Sequence, residues 1–485
     1  MAEKSLKLNY VLNIVRIVLG MIFPLITFPY ASRILMPEGI GRVAFANSFV
    51  AYFVILSQVG IPLYAVRECA KVRDDRDKLS KLTQELLIIN FIAVIIAYFI
   101  FVLMLIFNER ISGERELFIL CSATIIFSTI GMEWLYQALE EYVYITVRSL
   151  MFQVAYVVLL LLLVKAKEDY LIYAFLILLS SVGSNIANFL HSRKFINYKM
   201  YKNYDLKRHI KPISILFLYS FAINIYSNLN TIMLGFMAGN VSVGLYSAAT
   251  KISRIILNIM ISLGSVLMPR ISYYIQNSKN HELSSLIRKS VDFTVMLSLP
   301  AMAGLFMFSD EIILLFSGEE FFKASITMKI ITPLIILVAF GSITGHQILM
   351  PIGKEKNILM ATIAGAIVSL LVNVFVTSRL AQNGTAIATI AAELSVTGVQ
   401  LFYSWNYLKD HLFTRSKLEF LVATLIIVIE ILIIKSLAMS SLIKLLVSIA
   451  VSGFSYTATL LILRNNLIFS VIPSGLISKV KKIGV

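Results

Sequence analysis

Apolar stretches longer than a soluble core requires recur along the whole 485-residue chain, and nothing else in it constrains the fold as strongly. A membrane-spanning helix needs ~20 mostly apolar residues. Cutting at polar and Gly/Pro-rich breaks leaves fourteen such stretches, at approximately 10–33, 41–67, 84–107, 116–139, 143–164, 170–191, 212–237, 243–269, 289–309, 325–350, 357–378, 384–407, 418–437 and 440–463. Only 14% of residues are charged, where a soluble protein would carry ~25%. Mean hydropathy is +0.84. The chain therefore reads as all-α and polytopic, with about 14 transmembrane helices and no extramembrane catalytic domain. The first stretch lacks a small-residue cleavage site and reads as a retained helix, not a signal peptide. Cys69 and Cys121 lie in or beside apolar segments and point to no disulfide framework and no metal site.

The charge distribution sets the orientation. With the N-terminus in the cytoplasm, 29 of the 43 Lys and Arg residues fall on the cytoplasmic side and 10 on the outer side. Both termini are then expected inside, with an even number of spans. The net charge of +16 reads as loop anchoring, not as nucleic-acid binding. Four cations belong to neither side: Arg16, Lys251, Arg254 and Lys329 lie within apolar segments. Each costs ~2.5–3.5 kcal/mol at mid-bilayer by insertion scales. Lys329 is close enough to its helix end to snorkel outward. Arg16 can be read either way.

Lys251 and Arg254 have company. Ser247, Lys251, Arg254, Asn258 and Ser262 follow steps of three and four, so they share one face of an otherwise apolar helix. Charged residues in spanning helices usually line a water-filled cavity. Similar stripes are Asn9, Asn13, Arg16 and Gly20; Ser220, Asn224, Ser227 and Thr231; and Thr389, Glu393, Thr397 and Gln400. Helix–helix hydrogen bonding is a sufficient account of the Ser, Thr and Asn members, but a poor one of Arg16, Lys251 and Glu393. Glu133 stands beside Trp134, one turn before Gln137, and reads as a structural acid or an ion-coupling site. Glu430 reads as structural. Pro24, Pro29, Pro333, Gly341 and Gly345 interrupt helices and are candidate bending points.

A faint internal repeat is present. Gly41-Arg-Val-Ala-Phe-Ala-Asn47 opens the second segment and Gly244-Leu-Tyr-Ser-Ala-Ala-Thr250 the eighth. Parallel repeats of this kind are one plan for transporters. There is no phosphate-binding loop for ATP, and the five histidines show no metal spacing. The acid pairs Glu140-Glu141 and Glu319-Glu320 lie at helix edges as solvated charges.

Several runs resemble bacterial polysaccharide flippases of the Wzx type. They are Pro29-Tyr-Ala-Ser-Arg33 with Glu38-Gly-Ile-Gly41; Arg67-Glu-Cys-Ala-Lys71; Glu133-Trp134-Leu-Tyr-Gln137 through Glu140-Glu141 to Arg148; Thr231 through Gly239-Asn240 to Lys251; and, more weakly, Gly353-Lys-Glu-Lys356. The similarity covers about 10–410, and Arg33, Trp134, Gln137 and Arg148 carry its motifs.

The resemblance implies the fold of the multidrug/oligosaccharidyl-lipid/polysaccharide exporters. Two pseudo-symmetric six-helix lobes are then expected at 1–211 and 212–410, with two further helices and a basic cytoplasmic tail at 411–485. It also implies a transporter, not an enzyme, working without a cofactor in the bacterial cytoplasmic membrane. Its substrate would be an undecaprenyl-pyrophosphate-linked oligosaccharide moved from inner to outer leaflet. Polysaccharide polymerase machinery is an implied partner. On this view Arg16, Lys251, Arg254, Asn47, Asn224 and Asn258 form a cationic substrate cavity, with Arg16 across the lobe interface. Glu393, then Glu133, are candidates for coupling to H+ or Na+. The alternatives are a cation-coupled drug antiporter of the same superfamily, which would prefer an acidic cavity, and a membrane glycosyltransferase or polymerase, which would need larger outer loops.

Overall fold

The computed structural model describes the backbone of 6–471, and within it the side chains other than those of 6–11, 14, 17, 219, 222–227, 259, 262–266 and 469–471. Every described element is a helix. Ten helical stretches are long and apolar enough to cross a membrane among the described residues. The fourteen expected segments do not appear as fourteen separate helices. The pairs 10–33 and 41–67, 212–237 and 243–269, and 357–378 and 384–407 each run together. Their short connections stay helical and reverse through one or two residues of unusual backbone geometry instead of through a loop.

The chain forms two compact units, Met1–Ser247 and Ala248–Val485. The first contains α1 (Leu6–Gln58), α2 (Ile61–Lys71), α3 (Arg76–Phe107), α4 (Glu109–Ser112), α5 (Arg115–Ile130), α6 (Glu133–Ala138), α7 (Tyr142–Leu163), α8 (Tyr170–Ser192) and the start of α9 (Lys207–Gln276). α1 packs on α3, α5 and α7. Around Phe45 the core is aromatic: its ring meets Phe118 and Phe236 edge-on, at 5.8 and 5.2 Å between centroids. That ring fills the space over Gly235, where a Cβ would lie 2.2 Å from it.

The repeat read from Gly41 and Gly244 is physical. α1 bends at Met36 (φ 60°, ψ 174°) and α9 bends at Gly239 (φ 78°, ψ −179°), the same conformation 203 residues later. The two bends meet. A Cβ on Gly41 would lie 1.8 Å from the carbonyl oxygen of Asn240, and one on Gly244 would lie 1.9 Å from that of Pro37. Asn240 stands to Gly244 as Pro37 stands to Gly41. The contact is reciprocal, as at a two-fold axis, where residue i meets j and j meets i. Polar groups clasp it. Arg110 donates to Asn240 Oδ1 at 2.6 Å, and Asn240 Nδ2 donates to Glu114 at 2.6 Å. Arg42 lies 3.9 Å from Glu114 and donates to Glu38 at 2.6 Å.

Met36 pays sterically for this geometry. Proline at 37 holds the preceding ψ extended. The positive φ is a region that glycine enters freely and other residues occupy at a cost of ~1–3 kcal/mol. Met36→Gly is therefore expected to leave thermal stability unchanged or raised, whereas Gly239→Ala lowers it, since nothing lies within 4 Å of the added methyl and only φ opposes it. Thermal unfolding of the two purified variants checks this, and a stabilised Gly239→Ala would contradict it.

The polar connection 193–206 is not a free tether. α3 presents Arg76, Asp77, Ser80, Gln84 and Glu85 along one side, and the connection is hydrogen-bonded to all of them. Arg76 donates to Arg193 O, Ser80 Oγ accepts from Asn197 N, and Gln84 Nε2 donates to Asn197 O at 2.8 Å. Tyr201 and Tyr204 donate to Asp77 and Gln84. At its end Glu85, fully buried, accepts from Asp205 N at 2.9 Å and from Arg208 at 2.5 Å. His209 bridges Glu85 (3.0 Å) and the Tyr64 hydroxyl (2.8 Å). The start of α9 is thereby fixed to α2 and α3.

The second unit contains the rest of α9, then α10 (Asn280–Met307), α11 (Ser309–Ser317), α12 (Ala324–Ile331), α13 (Leu334–Gly341), α14 (Glu355–Val372), α15 (Ser378–Leu412), α16 (Arg415–Ser436), α17 (Ser441–Ile462) and α18 (Asn466–Val471). Two π-helical turns interrupt it, Ser342–Leu349 after α13 and Asn373–Thr377 after α14. α16 and α17 are tied to the rest by polar bonds as well as by packing. Tyr456 donates to Met296 O at 2.7 Å, Lys417 pairs with Asp292, and Lys435 pairs with Glu311 at 2.8 Å. Ser455 donates to Glu430 at 2.7 Å, so that mid-helix acid joins α16 to α17. Lys329 does not simply extend to the surface: both Asp310 oxygens receive its ammonium, at 3.0 and 2.8 Å.

Candidate functional site

In the first unit the chain breaks at Gly131-Met132, where Met132 takes φ 41°, and restarts with Glu133 at the head of α6. The break turns Glu133 out of the core that holds Trp134. Arg16 on α1 donates to Glu133 Oε1 at 2.5 Å. Arg148 on α7 donates to Glu133 Oε2 at 3.4 Å and, more closely, to Asn188 Oδ1 on α8. Asn188 is oriented by its own amide, which donates to Gly131 O at 2.7 Å. Gln137 Nε2 reaches Glu133 at 3.4 Å. One carboxylate thus lies between two guanidinium groups, with a local charge of +1. The two cations differ in surroundings: the side chain of Arg148 is 5% exposed and that of Arg16 25%.

Arg148 is one of the 29 cations that charge counting places on the cytoplasmic side as loop anchors, but its side chain is buried within α7. Asn188, which orders it, was not singled out, being one polar residue in an apolar stretch. Arg33 is exposed and donates to Pro29 O at 2.9 Å, ending a helical turn. Asn47 is half-buried on α1. Asn224, with Ser227, Ser262 and Asn9, lies outside the described side chains.

In the second unit, Lys251 is half-buried, and Arg254 and Asn258 are exposed. Between them Ile252, Ser253 and Leu257 are buried. Arg254 and Asn258 therefore face away from the unit's core, with Lys251 at its margin.

A second polar constellation lies between α15 and the first π-turn. Glu393, Thr397 and Gln400 are all at most 9% exposed. They pack against Gly341-Ser-Ile-Thr-Gly345, whose two glycines remove the side chains that would otherwise hold the helices apart. Thr344 donates to Gln400 Oε1 at 2.8 Å, Thr397 to Leu337 O at 3.1 Å, and Ser290 to Gln347 Oε1 at 2.6 Å.

The model of a family described as "Polysaccharide biosynthesis protein" matches residues 6–275. The chain belongs to this family. Within it, the chain is a Wzx-type member of the multidrug/oligosaccharidyl-lipid/polysaccharide exporter superfamily, and it is a transporter, not an enzyme. The MatE family model also matches, over 216–375. A putative O-antigen transporter of Escherichia coli K12 is 24% identical over 388 residues, covering 79% of this chain and 93% of its own. A probable low-salt glycan biosynthesis flippase of Haloferax volcanii is 25% identical over 206 residues, 42% of each chain. Among solved structures, the lipid II flippase MurJ in an inward closed conformation has a TM-score of 0.76 at 15% identity, covering 94% of this chain and all of its own. An inward-facing multidrug transporter of the MATE family has a TM-score of 0.61 at 15% identity, over 80% of this chain and 94% of its own. These two likenesses establish the exporter fold.

Proposed function

We propose that this transporter moves a lipid-linked glycan, carried on undecaprenyl pyrophosphate, from the inner to the outer leaflet of a bacterial cytoplasmic membrane. The observation that carries the reading is the direction of the Arg254–Asn258 face, with Lys251 at the margin of the core. It turns away from the core on a helix otherwise suited to lipid, and two cations there are tolerable only in a hydrated, anion-accepting cavity. Arg254 suits bidentate contact with phosphate, and Lys251 adds a point charge. Arg16, held against Glu133 within the first unit, is a further candidate cation for an anionic substrate. Hydrated sugars would pass along the Asn and Ser positions of the stripe.

The lipid tail needs a separate, apolar place. An apolar cavity of about 360 Å³ in the second unit would take a few isoprene units of it, lined by Met296, Pro300, Phe308, Ile427, Ile449 and Tyr456 among others. Its volume lies within the ~300–1,000 Å³ range of ligand pockets. α10, α16 and α17 form its walls, which gives the two C-terminal helices a role in holding the polyprenyl chain. Head-group passage would follow alternating access. Both termini would lie in the cytoplasm, and polymerase machinery would consume the product outside.

Lys251→Gln and Arg254→Gln are the test. Loss of one charge-assisted contact is worth ~1.5–3 kcal/mol, or about ten- to a hundred-fold in head-group affinity. In cells depending on the gene, each variant should express at wild-type level, and lipid-linked glycan should accumulate on the inner leaflet. Unchanged export in both variants would sink the proposal. Unchanged lipid-linked sugars with altered sensitivity to cationic drugs would favour the antiporter to which the MATE-like fold also belongs.

A further inference from the structure

We propose that the connection 193–206, with the first turns of α9, is a seat for the phosphate headgroups of anionic phospholipid in the surrounding membrane. The inference goes beyond the transport reading and stands without it.

Residues 193–211 carry seven Lys and Arg residues against one acid, Asp205. Two of these cations are spent inside the unit, Lys199 on Asp77 at 3.4 Å and Arg208 on Glu85 at 2.5 Å. The other five, Arg193, Lys194, Lys202, Lys207 and Lys211, are exposed and, among the described residues, pair with no carboxylate. The connection cannot swing them away from the unit, because hydrogen bonds to α3 between Arg76 and Glu85 fix it along its length. A cationic surface held in place this way binds an anion without the ordering cost that a loose loop incurs.

Two apolar rows fix the depth at which these cations lie. On α8, Leu179, Ile186 and Leu190 are exposed at steps of seven and four, a single lipid-facing row, and Lys194 follows four residues after Leu190. On α9, Lys207, Lys211, Ile215 and Leu218 are exposed at steps of four, four and three, so they share one face. That face changes from ammonium to hydrocarbon between Lys211 and Ile215. Four residues of helix rise about 6 Å. The polar layer on each side of the hydrocarbon core is about 5–8 Å deep. With Ile215 and Leu218 among acyl chains, Lys211 therefore lies in the phosphate layer and Lys207 at its outer edge, and the lysine stems lie along the boundary between the two.

The apolar members of the connection select the kind of anion. Met200, between Lys199 and Lys202, is 89% exposed. Tyr198 exposes part of its ring, while its hydroxyl is hydrogen-bonded to Ser192 at 2.6 Å. Apolar and aromatic groups interspersed with lysines suit an interface where acyl chains begin beneath phosphates, and suit a water-soluble polyanion poorly. Retention of loop cations on one side of a membrane accounts for positive charge in general. It does not require a connection bonded along its length to α3 with five cations left unpaired.

The test is the association of spin-labelled lipid with the full-length protein in phosphatidylcholine vesicles, the label being carried by phosphatidylglycerol or by phosphatidylcholine. The wild type should prefer phosphatidylglycerol several-fold. The preference should vanish as salt is raised from about 0.1 to 1 M, where the screening length falls from about 10 to about 3 Å. Lys202→Gln, Lys207→Gln and Lys211→Gln combined should lose most of it. Gln84→Ala keeps every cation but removes two bonds that hold the connection, to Asn197 O and Lys199 O, and should lose part of it. Lys289→Gln, Lys354→Gln and Lys356→Gln combined remove three exposed cations elsewhere and should leave it unchanged. Equal association of both lipids with the wild type, equal losses in the two triple variants, or full preference in Gln84→Ala would each overturn the seat. A wild type without lipid preference that instead captures polyglutamate through Lys202, Lys207 and Lys211 would assign the surface to an acidic protein and overturn it as well.

Discussion

Gly41→Ala is expected to abolish transport and to lower the melting temperature steeply, and Gly244→Ala to do the same. The added methyl of Gly41→Ala would lie 1.8 Å from Asn240 O, 2.7 Å from its carbonyl carbon and 2.8 Å from Gly244 N. In Gly244→Ala the clash is with Pro37 O at 1.9 Å. Carbon contacts are comfortable at ~3.5–4.0 Å, so the two bends would have to part by more than 1 Å. The obstructing atoms are backbone, with no rotamer to yield. Overpacking of an ordinary core costs ~1–3 kcal/mol, and backbone against backbone lies at or above the upper end. Separation would also strain the hydrogen bonds of Asn240 to Arg110 and Glu114. Gly398→Ala serves as the control, because nothing lies within 4 Å of its added methyl. Glycan export in cells and thermal unfolding of purified protein read the outcome. Wild-type values in Gly41→Ala would mean that the bends do not meet as described.

That contact also marks how far the sequence could be read. Apolar segmentation gives the all-helical membrane architecture because spanning length is a property of a contiguous stretch. Stripes such as Lys251, Arg254 and Asn258 are legible for the same reason, since helical period alone places them on one face. The repeat was visible as two similar runs, but their reciprocal packing was not, because no local pattern says that two distant bends touch. The bend itself was hidden: Met36 is not a residue type that announces a positive φ. Charge counting failed at Arg148 because it assigns cations by distance from a segment end, and a three-residue break left Arg148 close to one. Glu85 and His209 escaped for a different reason. They are 124 residues apart, and each alone looks like an edge residue of a polar connection. The Glu393 stripe was half legible: its shared face was seen, while the glycines packed opposite it needed the structure.

The Arg16–Glu133–Arg148 cluster separates a residue that holds the fold from one free to act on substrate, and mutation should divide them cleanly. Arg148 is buried, and Asn188 and Glu133 are its partners. Arg148→Ala strands a buried amide and unbalances Glu133. Breaking a buried ion pair costs ~3–5 kcal/mol. Glu133 is 39% exposed, so solvent screens part of this, and about 2–3 kcal/mol is the expected loss. Arg148→Lys should recover little, because one ammonium cannot reach both Asn188 and Glu133 as a planar fork does. Arg16 is different. It is more exposed, and Glu133 is its hydrogen-bond partner within the cluster. Arg16→Gln should cost less than ~1 kcal/mol of stability and still reduce export at least ten-fold. Glu133→Gln should destabilise, since it leaves two neighbouring cations without their shared anion, and combining it with Arg148→Met should restore part of the loss. That partial restoration is the signature of coupling, because independent sites would add. Unfolding of the single and double variants, measured beside glycan export, decides the matter. If Arg16→Gln proved as destabilising as Arg148→Ala, Arg16 would be a structural ion-pair partner and would drop out of the substrate site.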